Sequence, residues 1–172
     1  MNKRPALGGF SLIELVVVIS ILAILAGVLV PRVTNHMKSA RDSRRLADIK
    51  AIRNAVEQYY MDNTTYPAAN TNGAYGGWDV SLDGNFISVL QDKGYLPEVP
   101  ADPINDATYH YRYYVYPAAS YGCVGSTSFY VLGIKAFENA SFATKNKGFF
   151  KCASRDWSTE FAYVTGGGAS YQ

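Results

Sequence analysis

Glu14 is the most telling chemical group in the chain, because it is a carboxylate set in a run that is otherwise apolar or small from Phe10 to Val30 except for Ser11 and Ser20. A charge placed in a membrane helix costs roughly 3 kcal/mol at the bilayer centre and less near an end, so such a residue needs a partner. The two cysteines, Cys123 and Cys152, lie far from this run and match no metal-ligand or redox spacing. They read as one disulfide, which would close a loop of about 30 residues and contribute roughly 3 to 4 kcal/mol in the chain-entropy picture. That reading requires an oxidising compartment. The only histidines, His36 and His110, stand alone on a helix and a strand. No phosphate loop, paired-cysteine metal motif or Gly-x-Ser-x-Gly element is present. Asp102, Asn105 and Asp106 could offer oxygen ligands to calcium, but their spacing is not that of an EF-hand and the same residues are turn formers. The expectation is a chain that is not an enzyme and carries no cofactor.

The elements that position Glu14 follow from the apolar run. Its 21 residues, at a rise of roughly 1.5 Å each, match the roughly 30 Å hydrocarbon thickness of a bilayer. The preceding segment 1–9 is short and polar, and Lys3 and Arg4 would hold it on the cytoplasmic side. A secretory signal would have a shorter apolar core and an Ala-x-Ala-like site, and Ala23, Ala26 and Gly27 are spaced wrongly for one. A plain signal anchor stays open. Pro31 removes a backbone donor inside the same helix, so the stretch from Gly27 to Pro31 is its weakest point and is expected to kink or loosen.

Beyond Pro31 the pattern becomes amphipathic. Leu46, Ile49, Ile52 or Arg53, Val56 and Tyr59 or Tyr60 recur at spacings of three and four. Arg41, Arg44, Arg45, Asp48, Lys50 and Arg53 are assigned to a solvated, charge-laced face, with Asp48 pairing to Arg44 or Arg45. A helix from Phe10 to about Asp62 would be roughly 80 Å long, far beyond an ordinary globular helix. After it come turn formers, a loop over 68–78, a short helix over 86–95, and strands over 109–116, 128–137 and 161–164. In the first of these strands, Tyr109, Tyr111, Tyr113 and Val115 face one way and His110, Arg112, Tyr114 and Tyr116 the other. The glycines Gly166, Gly167 and Gly168 are expected to form a flexible tail.

The run Gly8-Gly9-Phe10-Ser11-Leu12-Ile13-Glu14-Leu15 resembles the prepilin signature of type IV pilins and type II secretion pseudopilins. The resemblance implies cleavage between Gly9 and Phe10 by a prepilin peptidase and N-methylation of Phe10. It implies that Glu14 pairs with the new amine of a neighbouring subunit and that Gly27 to Pro31 melts on assembly. It further implies membrane residence as a precursor, then a helical homo-oligomeric filament built by an assembly machinery, extracellular for a pilin and periplasmic for a pseudopilin. Some pseudopilins bind calcium in loops beside the sheet, which keeps Asp102, Asn105 and Asp106 as weak candidates.

The expected fold is α+β: a leader 1–9, a membrane or filament-core helix 10–30, its amphipathic continuation 31–62, and a head 63–172 with an antiparallel sheet of three or four strands. The disulfide resembles pilin heads and the Leu96-Pro97 to Pro103 connection resembles pseudopilins, and the pilin is placed first. Without Lys3 and Arg4, 14 basic side chains face 14 acidic ones, so nothing global favours nucleic acid. A tip subunit binding DNA through Lys135, Lys145, Lys147 and Lys151, or binding a surface, is the rival.

Overall fold

The structure is a computed structural model, and it describes residues 9–168. One helix, α1, runs without interruption from Leu12 to Asn63. The chain divides into two compact units between Met37 and Lys38.

In the first unit α1 is dominated up to Val30 by Leu, Ile, Val and Ala, which suit a helix that needs no polar face. Every described side chain from Phe10 to Met37 is exposed. This is the one helix among the described residues that is long and apolar enough to cross a membrane.

In the second unit the α1 stripe is buried: Ile49, Ile52, Ala55 and Val56 are all in the core. They pack on a four-stranded antiparallel sheet of order β1-β2-β3-β6, where β1 is Asp79–Val80, β2 is Tyr111–Tyr116, β3 is Phe129–Ile134 and β6 is Tyr163–Gly167. Two short helices, α2 (Val89–Asp92) and α3 (Ala140–Lys145), and a hairpin of β4 (Lys151–Cys152) with β5 (Arg155–Asp156) complete the head.

The alternation of β2 places Tyr111, Tyr113 and Val115 against α1. Tyr114 and Tyr116 enter a second core with Trp78, Phe129, Val131, Phe150 and Trp157. The sheet is therefore covered on both faces, which is why all six residues of β3 are buried. Strands shielded on both sides read as continuous apolar runs instead of alternating ones.

Several expectations shift: the strand placed at 109–116 begins at Tyr111, leaving Tyr109 and His110 ahead of it, and the one placed at 161–164 runs over Tyr163–Gly167. The helix placed at 86–95 is a single turn, Val89–Asp92, closed by Gly94, whose positive φ ends it. The strand placed at 128–137 stops at Ile134, because Asp42 on α1 accepts the amides of Glu138 at 3.0 Å and Asn139 at 2.9 Å and turns the chain away. The glycine-rich end is not a loose tail as far as it is described. Gly166 pairs with Val131 and Gly167 with Tyr130 in β6. A side chain at Gly166 would collide with the Phe150 ring and the Tyr130 carbonyl, and one at Gly167 would meet Glu57. Glycine is there because the backbone is tightly covered.

Candidate assembly site

Gly9 and Phe10 precede the first turn of α1 in a non-helical, exposed stretch, and Phe10 is 91% exposed. The Gly9–Phe10 bond is thus open to approach. The first turn begins with Ser11 as N-cap, and the Ser11 amide donates to Glu14 Oε2 at 2.9 Å. Ser-x-x-Glu ahead of an apolar run is the capping-box pattern, in which the third helical residue reaches back to the cap amide. Glu14 therefore has a partner in its own chain, at the helix end where a negative charge is favoured. The Ser11-x-x-Glu14 spacing is the sequence signal for this local partner. Phe10, Ile13, Glu14, Val17 and Val18 line an open apolar groove of about 350 Å³ on this end of the helix.

The expected break at Gly27 to Pro31 is absent from this single chain: both residues lie within continuous helix. Pro31 has no N–H to offer the Gly27 carbonyl four residues back. The Pro31 carbonyl gains an extra donor, the Thr34 hydroxyl, at 3.0 Å.

Only part of the charge on the later half of α1 forms a solvated face: Arg44, Lys50 and Arg53 are exposed, but other charges turn inward. Arg45 and Asp42 are both fully buried. Arg45 donates in a bidentate fork to Asp102, at 2.6 and 2.9 Å, and also to Asp42 at 2.7 Å and Glu138 at 2.9 Å. Arg41 adds a second fork to Glu138, at 2.7 and 2.6 Å. Burial alone would push Arg45 toward neutrality, yet its hydrogen bonds to Asp102 and Glu138 outweigh it and hold the guanidinium above its ordinary value. The Arg41 bond leads in drawing Glu138 down to about 2, against its burial and with help from Arg45. Asp48, expected beside Arg44 or Arg45, makes only a loose 3.8 Å pair with Arg44 and accepts the Tyr111 hydroxyl at 2.9 Å.

Spacing could have exposed this cluster. Asp42 and Arg45 extend the stripe Ile49, Ile52 and Val56 by the same steps of three and four, so they had to face the core. What spacing could not supply was Asp102 and Glu138, which arrive from distant loops.

The remaining candidates are committed locally. Both Asp102 oxygens receive Arg45, and Oδ1 also accepts the Ile104 amide at 2.9 Å. Asp106 accepts the amides of Thr108 and Tyr109, and Asn105 bonds Ser81. Among the described residues no group of three or more metal-ligating side chains gathers. His110 is buried and shares its ring nitrogens between the Asp106 carbonyl and Arg112 Nε, while His36 is exposed. Lys135, one of the basic set proposed for DNA, donates to the Glu160 carbonyl at 2.9 Å. Cys123 and Cys152 are joined as a disulfide.

The comparisons with known proteins fall on both halves of the chain. The prokaryotic N-terminal methylation motif matches residues 8–30, and the model for type II secretion system (T2SS) protein G matches residues 32–141. The chain is 34% identical over 107 residues to the type II secretion system core protein G of Aeromonas hydrophila, covering 60% of this chain and 71% of that protein. It is 32% identical over 99 residues to the Escherichia coli K12 core protein G, covering 55% and 65%. The Pseudomonas aeruginosa core protein G is 37% identical over 102 residues, covering 59% and 70%. No solved structure matches. With the methylation motif on its exposed apolar helix and the protein G match running across the packed half of α1, the sheet-forming strands β1 to β3 and the Asp102 loop, this chain belongs to the type II secretion system protein G family.

Proposed function

We propose that this chain is a pseudopilin: a non-catalytic subunit that polymerises through the first half of α1 into a periplasmic filament of a type II secretion machinery. The match to the protein G model over 32–141 carries this reading. It reverses the order reached from sequence alone, where the pilin came first. The disulfide that favoured a pilin involves Cys152, outside the matched residues, so it says little about the family.

In this reading the precursor sits in the inner membrane by its apolar helix, and a prepilin peptidase cuts between Gly9 and Phe10 and methylates Phe10. Glu14 then exchanges its own Ser11 amide for the amine of an adjacent subunit. The side chains exposed from Phe10 to Met37 find cover only against other copies or lipid, since transferring each large apolar side chain out of water is worth about 1.5 to 3 kcal/mol. Gly27 to Pro31 is where the helix loosens as it packs. An assembly ATPase in the machinery would drive extraction from the membrane. Nucleic acid and an extracellular pilus are not part of this role.

The test is assembly in a strain lacking the native subunit. Filaments sheared or extracted from the wild type should start at N-methylated Phe10 by mass spectrometry, and deletion should abolish export of secreted enzymes without loss of surface pili. Glu14→Leu should insert in the membrane normally yet yield no filament. Surface pili that vanish on deletion, with secretion intact, would return the pilin reading to first place.

A further inference from the structure

Away from the assembly helix, the second core opens to solvent in a cleft of about 490 Å³, within the roughly 300–1,000 Å³ range of small-molecule sites. Its walls are aromatic. Trp78 leads into β1, Tyr114 and Tyr116 come from the outer face of β2, and Tyr121 sits on a tight turn, with Arg155 of β5 and the Ser120 hydroxyl completing the lining. The rings meet edge to face or tilted, Trp78 to Tyr114 at 5.9 Å, Tyr114 to Tyr116 at 4.6 Å and Tyr116 to Tyr121 at 5.5 Å between centroids. Tyr121 remains 41% exposed at the rim.

Arg155 decides which ligand chemistry suits the cleft. Its Nε and one terminal nitrogen are held by Glu160 at 2.8 and 2.9 Å, and the other nitrogen donates to the Tyr121 hydroxyl at 3.0 Å. Its guanidinium carbon lies over the Tyr121 ring, 4.9 Å from the centroid, and 5.0 Å from that of Trp157. The charge is already neutralised by a bidentate carboxylate, so an anionic ligand would find no free cation here. What remains are mainly hydroxyls that can both donate and accept, beside the exposed part of the Tyr121 ring, which can meet polarised C–H groups.

The rim is also held in a costly conformation. Ala119 and Tyr121 both have positive φ, 61° and 56°, although neither is glycine. Non-glycine residues in that region persist where surrounding structure enforces them, often at ligand sites. Here the Cys123–Cys152 disulfide and the bond from the Ser154 amide to the Tyr121 carbonyl at 3.0 Å enforce it. Arg155 and Cys152 lie beyond residue 141, outside the protein G match, so the cleft is completed by a part of the head that the family model does not span.

We infer that this cleft is a binding site for a neutral carbohydrate, with a pyranose ring lying on Tyr121 and Tyr114 and its hydroxyls reaching Ser120 and the tyrosine hydroxyls. The experiment uses the full chain in a zwitterionic detergent free of sugar headgroups. Maltose, cellobiose and chitobiose are the neutral probes and glucuronic acid the charged comparator. Saturation-transfer NMR reports contact, and quenching of tryptophan fluorescence reports affinity. At least one neutral sugar should bind at millimolar concentration, more tightly than glucuronic acid. Tyr121→Ala and Tyr114→Leu should each weaken it about tenfold, in samples whose circular dichroism shows the native fold. No transfer from any neutral probe, equal binding by Tyr121→Ala and the wild type, or a preference for glucuronic acid would each overturn the inference.

Discussion

The two halves of α1 handle charge in opposite ways. In the first unit one carboxylate, Glu14, stands exposed among apolar side chains and has a single hydrogen bond to its own cap amide. In the second, Arg45 is fully buried and answered by Asp42, Asp102 and Glu138. The first half leaves its apolar side chains uncovered by the chain itself, while the buried charges of the second are answered within the chain.

The contrast can be broken most sharply at Arg45. Arg45→Met leaves Asp42 and Asp102 buried without their cation, and removing one partner of a buried pair costs about 3 to 5 kcal/mol. Urea unfolding of the detergent-solubilised chain should show that loss, whereas Glu14→Leu should leave the same midpoint unchanged and fail only in filament assembly. Equal stability loss in both variants would erase the distinction.

Opening the disulfide tests the far side of the sheet. Cys123→Ser with Cys152→Ser frees a loop spanning 29 residues, and the chain-entropy estimate is a loss of about 3.5 kcal/mol. Calorimetry would measure it, and the drop should match that produced by a reductant in the wild type.

Asp79 supplies a pH test. It is fully buried, and burial above all raises its carboxyl to about 6 despite the amides of Asn70 and Ile87 that bond it at 2.8 and 3.1 Å. A raised folded-state value means that its stabilising effect is full below the ordinary value of about 4 and is lost as pH climbs through 6. That component is about 3 kcal/mol at most, at roughly 1.4 kcal/mol per unit. Asp79→Asn should flatten stability between pH 4 and 6. Glu138 runs the other way: held at about 2 first by Arg41, it contributes above its ordinary range and loses that contribution as pH falls toward 2. Stability that rose on acidification below pH 4 in the Asp79→Asn variant would contradict the Glu138 assignment.

The smallest expected effect is at β6. Gly166→Ala forces a methyl against Phe150 and the Tyr130 carbonyl, and overpacking of this kind costs about 1 to 3 kcal/mol. Thermal melting should register it, while Gly73→Ala, whose Cβ meets nothing, serves as the control.

Much of the architecture was legible because its signals are local and periodic. The apolar run, the signature around Gly9 and Phe10, the α1 stripe and the alternation of β2 each repeat within a few residues. Turn chemistry placed the loops, and two cysteines could pair in only one way. Errors came where a residue's environment is set by chain far away in sequence. Arg45 looked like a surface charge because Asp102 and Glu138 are brought to it only by the fold. The glycines of β6 looked flexible because nothing local reveals the Phe150 ring packed against them.

By itself the sequence determined a helix long and apolar enough for a membrane, a carboxylate placed four residues past Phe10, and an α+β head. Tertiary structure decided which charges are buried, which face of the sheet receives the disulfide hairpin and where the aromatic cleft opens. The reason is physical: periodicity follows from backbone geometry and is written locally, but desolvation depends on which distant groups come together, and only the folded chain brings them there.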